Sequence, residues 1–310
     1  MERTLVKSRI RTVFGLVEWG WRKHVLRQPY HVRRIHDYLM YLDHHVAGVS
    51  RPLAIHGSRE EDKTELLRRE LEPGMVHLDL GANIGYYALM AARRVGPAGK
   101  VICLEPDPRN LELLRRNVSL NRLDDVVEIL AVAASDKPGR ATMYKANASN
   151  LNTLVEPAAC TGSQPPGEEV SVDTVTIDSL MASRGGRLNF LRMDIEGYEV
   201  DALRGGLETL AASPPPCKIL LETHAQMYGP TRDFGAVLQR LFALGFVAKG
   251  LVSAGSSRPQ IFQRLGYHPA EIFLADGFHR GYYQNVAPEH VVELCSAIPK
   301  AVRYLLLCKA

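Results

Sequence analysis

The chain has 310 residues, 46% hydrophobic and 23% charged, with a net charge of +4, which is ordinary globular composition for one large domain plus an accessory segment. Its five cysteines (Cys103, Cys160, Cys217, Cys295, Cys308) are odd in number and lack C-x-x-C spacing, which argues against a disulfide framework or structural zinc and favours a reducing, cytoplasmic setting. No apolar run reaches the roughly 18 residues of a membrane span, and Arg11 and Glu18 break the N-terminal apolar stretch, so no signal peptide is read there.

Charge is unevenly spread. Residues 1–34 hold nine Lys/Arg against Glu2 and Glu18 and so carry +7, leaving −3 for the rest. This segment reads as an amphipathic helix, with Val6, Ile10, Val13 and Val17 on one stripe joined by Phe14 and Trp21. Two readings stay open: a helix packed on the main domain or on a second subunit, and a basic helix lying peripherally on an anionic membrane surface. Residues 38–55 mix β-formers with a turn at Gly48 and predict a short antiparallel hairpin. Together these form an N-terminal extension over 1–71.

From Met75 the pattern becomes strand, glycine turn, helix, repeated. Strands are predicted at Met75–Leu80, Val101–Leu104 and Val126–Val132, with helices at Ile84–Val95 and Pro108–Leu120, the second opened by proline. The alternation then breaks at an inserted hairpin of about 140–178, its strands Arg140–Tyr144 and Val170–Ile177 flanking a polar loop. It resumes with strand Phe190–Met193, helix Tyr198–Leu210, strand Lys218–Glu222, helix Phe234–Leu244, strand Phe246–Lys249, helix Glu289–Ala297 and strand Val302–Cys308. Such alternation predicts an α/β domain over 72–310, a doubly wound, mainly parallel seven-stranded sheet of Rossmann-like type.

The most informative segment, His77-Leu-Asp79-Leu-Gly81-Ala-Asn83-Ile-Gly85-Tyr-Tyr87, lies where the first strand turns into a helix. Ligands of open parallel sheets bind at the carboxyl ends of strands. Gly81 and Gly85 permit a tight turn and a close ligand, and the helix start presents N–H groups to an anion. A dinucleotide pyrophosphate would favour G-x-G-x-x-G, but position 83 is Asn. The D-x-G-x-N-x-G turn suits the amino-acid end of S-adenosylmethionine (SAM), its carboxylate on the turn N–H groups and its ammonium on Asp79 or the Gly81 backbone. Glu105 ends the second strand, 24 residues past Gly81, where a carboxylate accepts hydrogen bonds from ribose hydroxyls.

These residues, with Glu105-Pro-Asp-Pro, Leu-Arg-Arg-Asn117, Ser135-Asp-Lys-Pro-Gly139, Thr176-Ile-Asp178, Met193-Asp-Ile-Glu-Gly197, Met-Tyr-Leu-Asp43 and Ser58-Arg-Glu-Glu61, resemble the FkbM family of SAM-dependent methyltransferases over Met40–Glu222. The resemblance implies a class I methyltransferase sheet and methyl transfer, commonly to a hydroxyl of a sugar, glycan or secondary metabolite. Arg192 departs from the family, which usually has Lys there. Candidate cofactor contacts are Asp79, Gly81, Ala82, Asn83, Gly85, Tyr86, Glu105, Pro106, Asp107, Ala133 and Asp194.

Methyl transfer from a sulfonium needs an aligned acceptor and a base for its proton. Candidates at the strand ends are Asp194 and Glu196 after the fourth strand, and Glu222 and His224 after the fifth. His224 titrates nearest neutrality and is the first choice of base. Glu222 is expected to hold its tautomer or to bind the acceptor, Asp194 to orient the SAM ammonium or the acceptor, and Glu196 to act in catalysis or cap a helix. No dedicated metal pattern is present, although Asp194 and Glu222 could take Mg²⁺. An NAD(P) oxidoreductase lacks its glycine trio here. A nucleic-acid methyltransferase is disfavoured by Asp194-Ile-Glu-Gly in place of Asn/Asp-Pro-Pro-Tyr/Phe and by the −3 main domain. A non-catalytic SAM-binding module is the remaining rival.

Overall fold

The computed structural model describes residues 12–45, 48–156, 167–255 and 259–309. Val6, Ile10 and Cys160 lie outside them. Helix α1 covers 12–20 and runs into a wider π turn, Trp21–Val25. Strands β1 (Tyr30–Ile35) and β2 (Tyr38–Asp43) form an antiparallel hairpin. Helices α2 (Ser50–His56) and α3 (Glu61–Glu70) follow.

Two expectations for this region are corrected. The hairpin spans 30–43 rather than 38–55, turning at His36 with φ +52°, while residues 50–56 are helical and end on left-handed Gly57. The side chains of Asn117 and Asn121 bond the backbone of β2 at Tyr41 and Leu39. They satisfy polar groups that a third strand would otherwise take. Helix α1 packs into the core shared with the main domain, one of its two expected readings, but not through the described residues of its stripe. Val13, Phe14, Val17 and Trp21 are exposed, whereas Gly15 lies on the Ile55 backbone and Trp19 is buried against His31 and His44.

The main domain continues with β3 (Val76–Leu80), α4 (Tyr86–Val95), β4 (Lys100–Leu104), α5 (Pro108–Leu120), β5 (Val127–Leu130) and the short β6 (Ala133–Ala134). Strands β7 (Gly139–Tyr144) and β8 (Glu169–Val175) pair antiparallel, β6 lying beside β8. Next come α6 (Ile177–Ala182), β9 (Phe190–Met193), α7 (Glu199–Arg204), α8 (Leu207–Ala212), β10 (Cys217–Glu222), α9 (Phe234–Ala243) and β11 (Phe246–Ser253). The chain then forms α10 (Pro259–Arg264), β12 (Glu271–Ala275), β13 (Phe278–Tyr283), α11 (Pro288–Val292) and β14 (Val302–Lys309).

The helix expected over 198–210 is two helices. Gly205 abuts the Ser135 carbonyl, where an added Cβ would lie 2.1 Å from the oxygen, and Asp178 accepts the Glu208 and Thr209 N–H groups that restart the second helix.

The central sheet has the order β12-β13-β11-β14-β10-β9-β3-β4-β5. Its seven strands from β11 to β5 are the expected doubly wound set, with β14 alone antiparallel to the other six. A hairpin not foreseen in the sequence, β12–β13, extends the β11 edge. One apolar layer joins the N-terminal residues Ile35, Leu42 and Leu67 to α4 and α5; the other packs α6–α9 and α11 on the opposite face. The order reverses between β3 and β9, so Leu80–Gly81 and Met193–Asp194 open a ligand crevice at their carboxyl ends.

Candidate active site

A cavity of about 510 Å³ opens at this switch point. Its floor is the turn after β3. Gly81, Asn83 and Gly85 have φ of +78°, +51° and +93°, and an added Cβ on Gly81 would lie 2.3 Å from the Asp194 carbonyl oxygen. Only glycine lets these two strand ends approach so closely. Gly81, Ala82, Asn83, Tyr86, Glu105, Pro106, Ala133 and Asp194 line the cavity.

Asp79, Gly85 and Asp107 do not. Asp79 is wholly buried and accepts from Arg192 at 3.0 Å. Gly85 caps α4 against Leu114. Asp107 caps α5 and receives the side-chain amide of Asn152. The expected use of the turn N–H groups is also corrected. Those of Gly81 and Ala82 go to the Leu104 carbonyl, Asn83 to Glu105, Ile84 to the Asn83 side chain and Gly85 to the Ala82 carbonyl.

Glu105 accepts from the backbone of Asn83 at 2.7 Å and Asp107 at 2.9 Å, and from Asn110. Burial nevertheless pushes its carboxyl up to about 7.

The opposite wall carries His224. Its Nδ1 lies 3.0 Å from Glu199 Oε1 and its Nε2 3.4 Å from Glu196 Oε2. Glu199, not Glu222 as expected, therefore orients the ring. Glu199 also accepts the Tyr228 hydroxyl and the backbone N–H groups of Ile195 and Gly197. Burial alone would lower the imidazole, but Glu199 and Glu196 hold it well above its ordinary value. The expectation of titration near neutrality is thus shifted: the two carboxylates move the imidazole upward. Burial, with Asp194 and Glu222 nearby, pushes Glu196 up to about 8.

Behind the wall lies Lys63, 1% exposed, whose Nζ is 2.8 Å from Asp194, 2.8 Å from Glu222 and 3.0 Å from Glu60. Arg192 joins Asp79, the Gly81 carbonyl and Asp194, with its guanidinium over the Tyr87 ring. Arg303 reaches Glu60 and Glu222. Burial would raise Asp194, yet Lys63 and Arg192 hold it well below the usual carboxylate range. Burial and Asp194 push Glu222 up, against Lys63 and Arg303.

Two donor groups among the described residues are close enough to share a metal ion, Asp194–Glu196–His224 and Glu60–Asp194–Glu222. In the second, Lys63 already provides the cation.

The sequence reading missed Lys63, Glu199 and Arg303. Lys63 lies just beyond the Ser58–Glu61 motif and Glu199 three residues beyond Glu196, so adjacency to recognised motifs was the available signal. Arg303 had none. The inserted hairpin of about 140–178 supplies a cover, Asn150–Leu154, tied by Asn152 to Asp107 and by Thr153 to the Glu196 carbonyl.

The chain matches the Methyltransferase FkbM domain over residues 79–248. It is similar to the 2-O-methyltransferase NoeI of Sinorhizobium fredii, 29% identical over 45% of this chain and 60% of that protein. It is also similar to the 31-O-demethyl-FK506 methyltransferase FkbM of Streptomyces tacrolimicus, 30% identical over 44% of this chain and 61% of that protein. The chain thus spans about three fifths of the length of these curated relatives. Among solved structures, the SAM-dependent O-methyltransferase of Thermotoga maritima is 13% identical, covering 82% of this chain and 67% of that one with a TM-score of 0.38. With the domain match covering more than half of its residues, the chain belongs to the FkbM family of SAM-dependent methyltransferases.

Proposed function

We propose that the protein transfers the methyl group of SAM to a hydroxyl oxygen of a small-molecule acceptor: a sugar, a glycan or a secondary metabolite. One observation carries this reading. The Gly81 turn and Glu105 share a single cavity with an imidazole whose far nitrogen is fixed by a buried carboxylate. The names of two relatives, a 2-O-methyltransferase and a 31-O-demethyl-FK506 methyltransferase, support it.

The cavity residues fit the cofactor. Glu105 would accept its ribose hydroxyls, and Val132, Ala133, Ala134 and Met143 form an apolar slot for its base. The Gly81 carbonyl at the cavity floor would take its ammonium. Because the turn N–H groups are already bonded, we assign its carboxylate to Arg59 at the cavity wall. Bound there, SAM supplies an electrophilic methyl group.

The remaining work falls to the chain's own side chains. Glu222 and Asp194 accept hydrogen bonds from the acceptor and hold it in line. Glu199 keeps the Nδ1 proton of His224, leaving Nε2 and the neighbouring Glu196 as the pair that takes the hydroxyl proton. The test is incubation of SAM with candidate sugars and polyketides, followed by mass spectrometry. A product heavier by one CH₂, formed by wild type and not by His224→Gln, supports the reading. Methylation of nitrogen alone contradicts it.

We propose further that the protein works peripherally at an anionic membrane surface through residues 1–34. No helix among the described residues is long and apolar enough to cross a membrane. The outer face of α1 and of the turn after it instead carries Val13, Phe14, Val17 and Trp21, with Phe14 71% exposed, inside a segment of charge +7. An exposed apolar face within a cationic segment is what an in-plane interfacial helix requires.

A further inference from the structure

We propose that Lys63 is the resident cation of this site, a positioning residue whose ammonium does for Asp194 and Glu222 what a bridging divalent metal would do. It keeps both carboxylates at the cavity wall as hydrogen-bond acceptors for the hydroxyls of the acceptor. The role assigned to those hydroxyls rests on the methyl-transfer reading above; the cation role rests on geometry alone.

Lys63 donates to Asp194 and Glu222 at 2.8 Å each and forms an ion pair with Glu60 at 3.0 Å, so its ammonium sits among three carboxylates. The rings of Tyr304 and Tyr87, 4.6 and 5.2 Å away, complete the enclosure. Glu60, Asp194 and Glu222 come from three separate parts of the fold: the turn before α3, the end of β9 and the end of β10. Without a cation, three carboxylates so close in a buried setting could not all stay ionised. Arg59 and Arg192 each reach one member of the set and Arg303 two, but among the described residues Lys63 alone touches all three.

Ionised carboxylates accept and do not donate, so a ligand facing Asp194 and Glu222 must bring donors. Adjacent hydroxyls, as on a sugar or another polyol, satisfy that demand. Removal of the ammonium would leave an all-oxygen cage suited to a hard divalent cation.

The experiment titrates Mn²⁺ into the folded protein and reads bound metal by electron paramagnetic resonance. Wild type should show no Glu222-dependent binding below about 1 mM, whereas Lys63→Ala should bind roughly tenfold or more tightly and lose that gain when Glu222→Gln is added. Glu222-dependent binding by wild type overturns the proposal, as does a folded Lys63→Ala that gains none. If Lys63→Ala does not fold, Lys63→Arg and Lys63→Met decide. The charged substitute must melt higher than the uncharged one despite its larger volume; equal melting, or a more stable Met variant, overturns the role. S-adenosylhomocysteine binding by the same proteins separates this result from failure of the cofactor reading.

Discussion

His224 Nδ1 lies 3.0 Å from Glu199 Oε1, and that carboxylate is fully buried, with the Tyr228 hydroxyl on its other oxygen. The contact fixes which ring nitrogen faces the cavity. It also raises the imidazole, and so sets the direction of the pH dependence.

A protonated base cannot accept the acceptor's proton. The His224–Glu196 pair must lose one first, and Glu196 is held at about 8. Turnover at saturating SAM should therefore rise from pH 6 to pH 9 rather than level off near 6.5. In Glu199→Gln the largest upward influence on His224 is gone, so this limb should shift to lower pH while turnover falls roughly 10²–10⁴-fold. An unshifted limb in that variant would show that Glu199 does not govern the titration.

Arg192 tests the departure from the family's usual Lys. Its fork spans Asp79, the Gly81 carbonyl and Asp194. A lysine ammonium cannot reproduce that planar geometry, and Asp79, which already has one buried oxygen without a partner, would lose its bond. Arg192→Lys should cost roughly 1–3 kcal/mol in chemical denaturation. A cost near zero would mean that the fork is not needed to hold the two strand ends.

The α1 surface makes a separate prediction. Vesicles containing anionic lipid should sediment with the protein, less so as salt is added, while neutral vesicles should not. Phe14→Asp with Val17→Asp should abolish sedimentation and leave S-adenosylhomocysteine binding intact. Binding unaffected by salt and by these substitutions, or self-association lost in the same variant, argues against a lipid surface.

How much of this was legible depended on the range of the contacts. The strands and helices from Val76 to Leu120 follow local periodicity and punctuation, and their predicted boundaries differ by a residue or two. The N-terminal hairpin was misplaced because Asn117 and Asn121, some 80 residues away, satisfy its backbone. The β12–β13 pair carries exposed Ile272, Leu274 and Phe278, so it lacks the apolar-in, polar-out pattern that marks a half-buried strand.

In the site, residues inside motifs could be named, but their partners could not. Glu222 is the acid closest to His224 in sequence, whereas Glu199 reaches its ring from the start of α7. Lys63 joins acids 131 and 159 positions away, and nothing local marks a lysine as buried.

The central claim is that the Gly81 turn and Glu105 hold SAM while His224 acts only on the acceptor. Calorimetric titration with S-adenosylhomocysteine reads it directly. Wild type should bind one equivalent in preference to NAD or NADP, Glu105→Ala should bind more weakly by roughly 1–3 kcal/mol, and His224→Gln should match wild type. Preferential binding of NAD, or an affinity that Glu105→Ala leaves unchanged, would contradict the account.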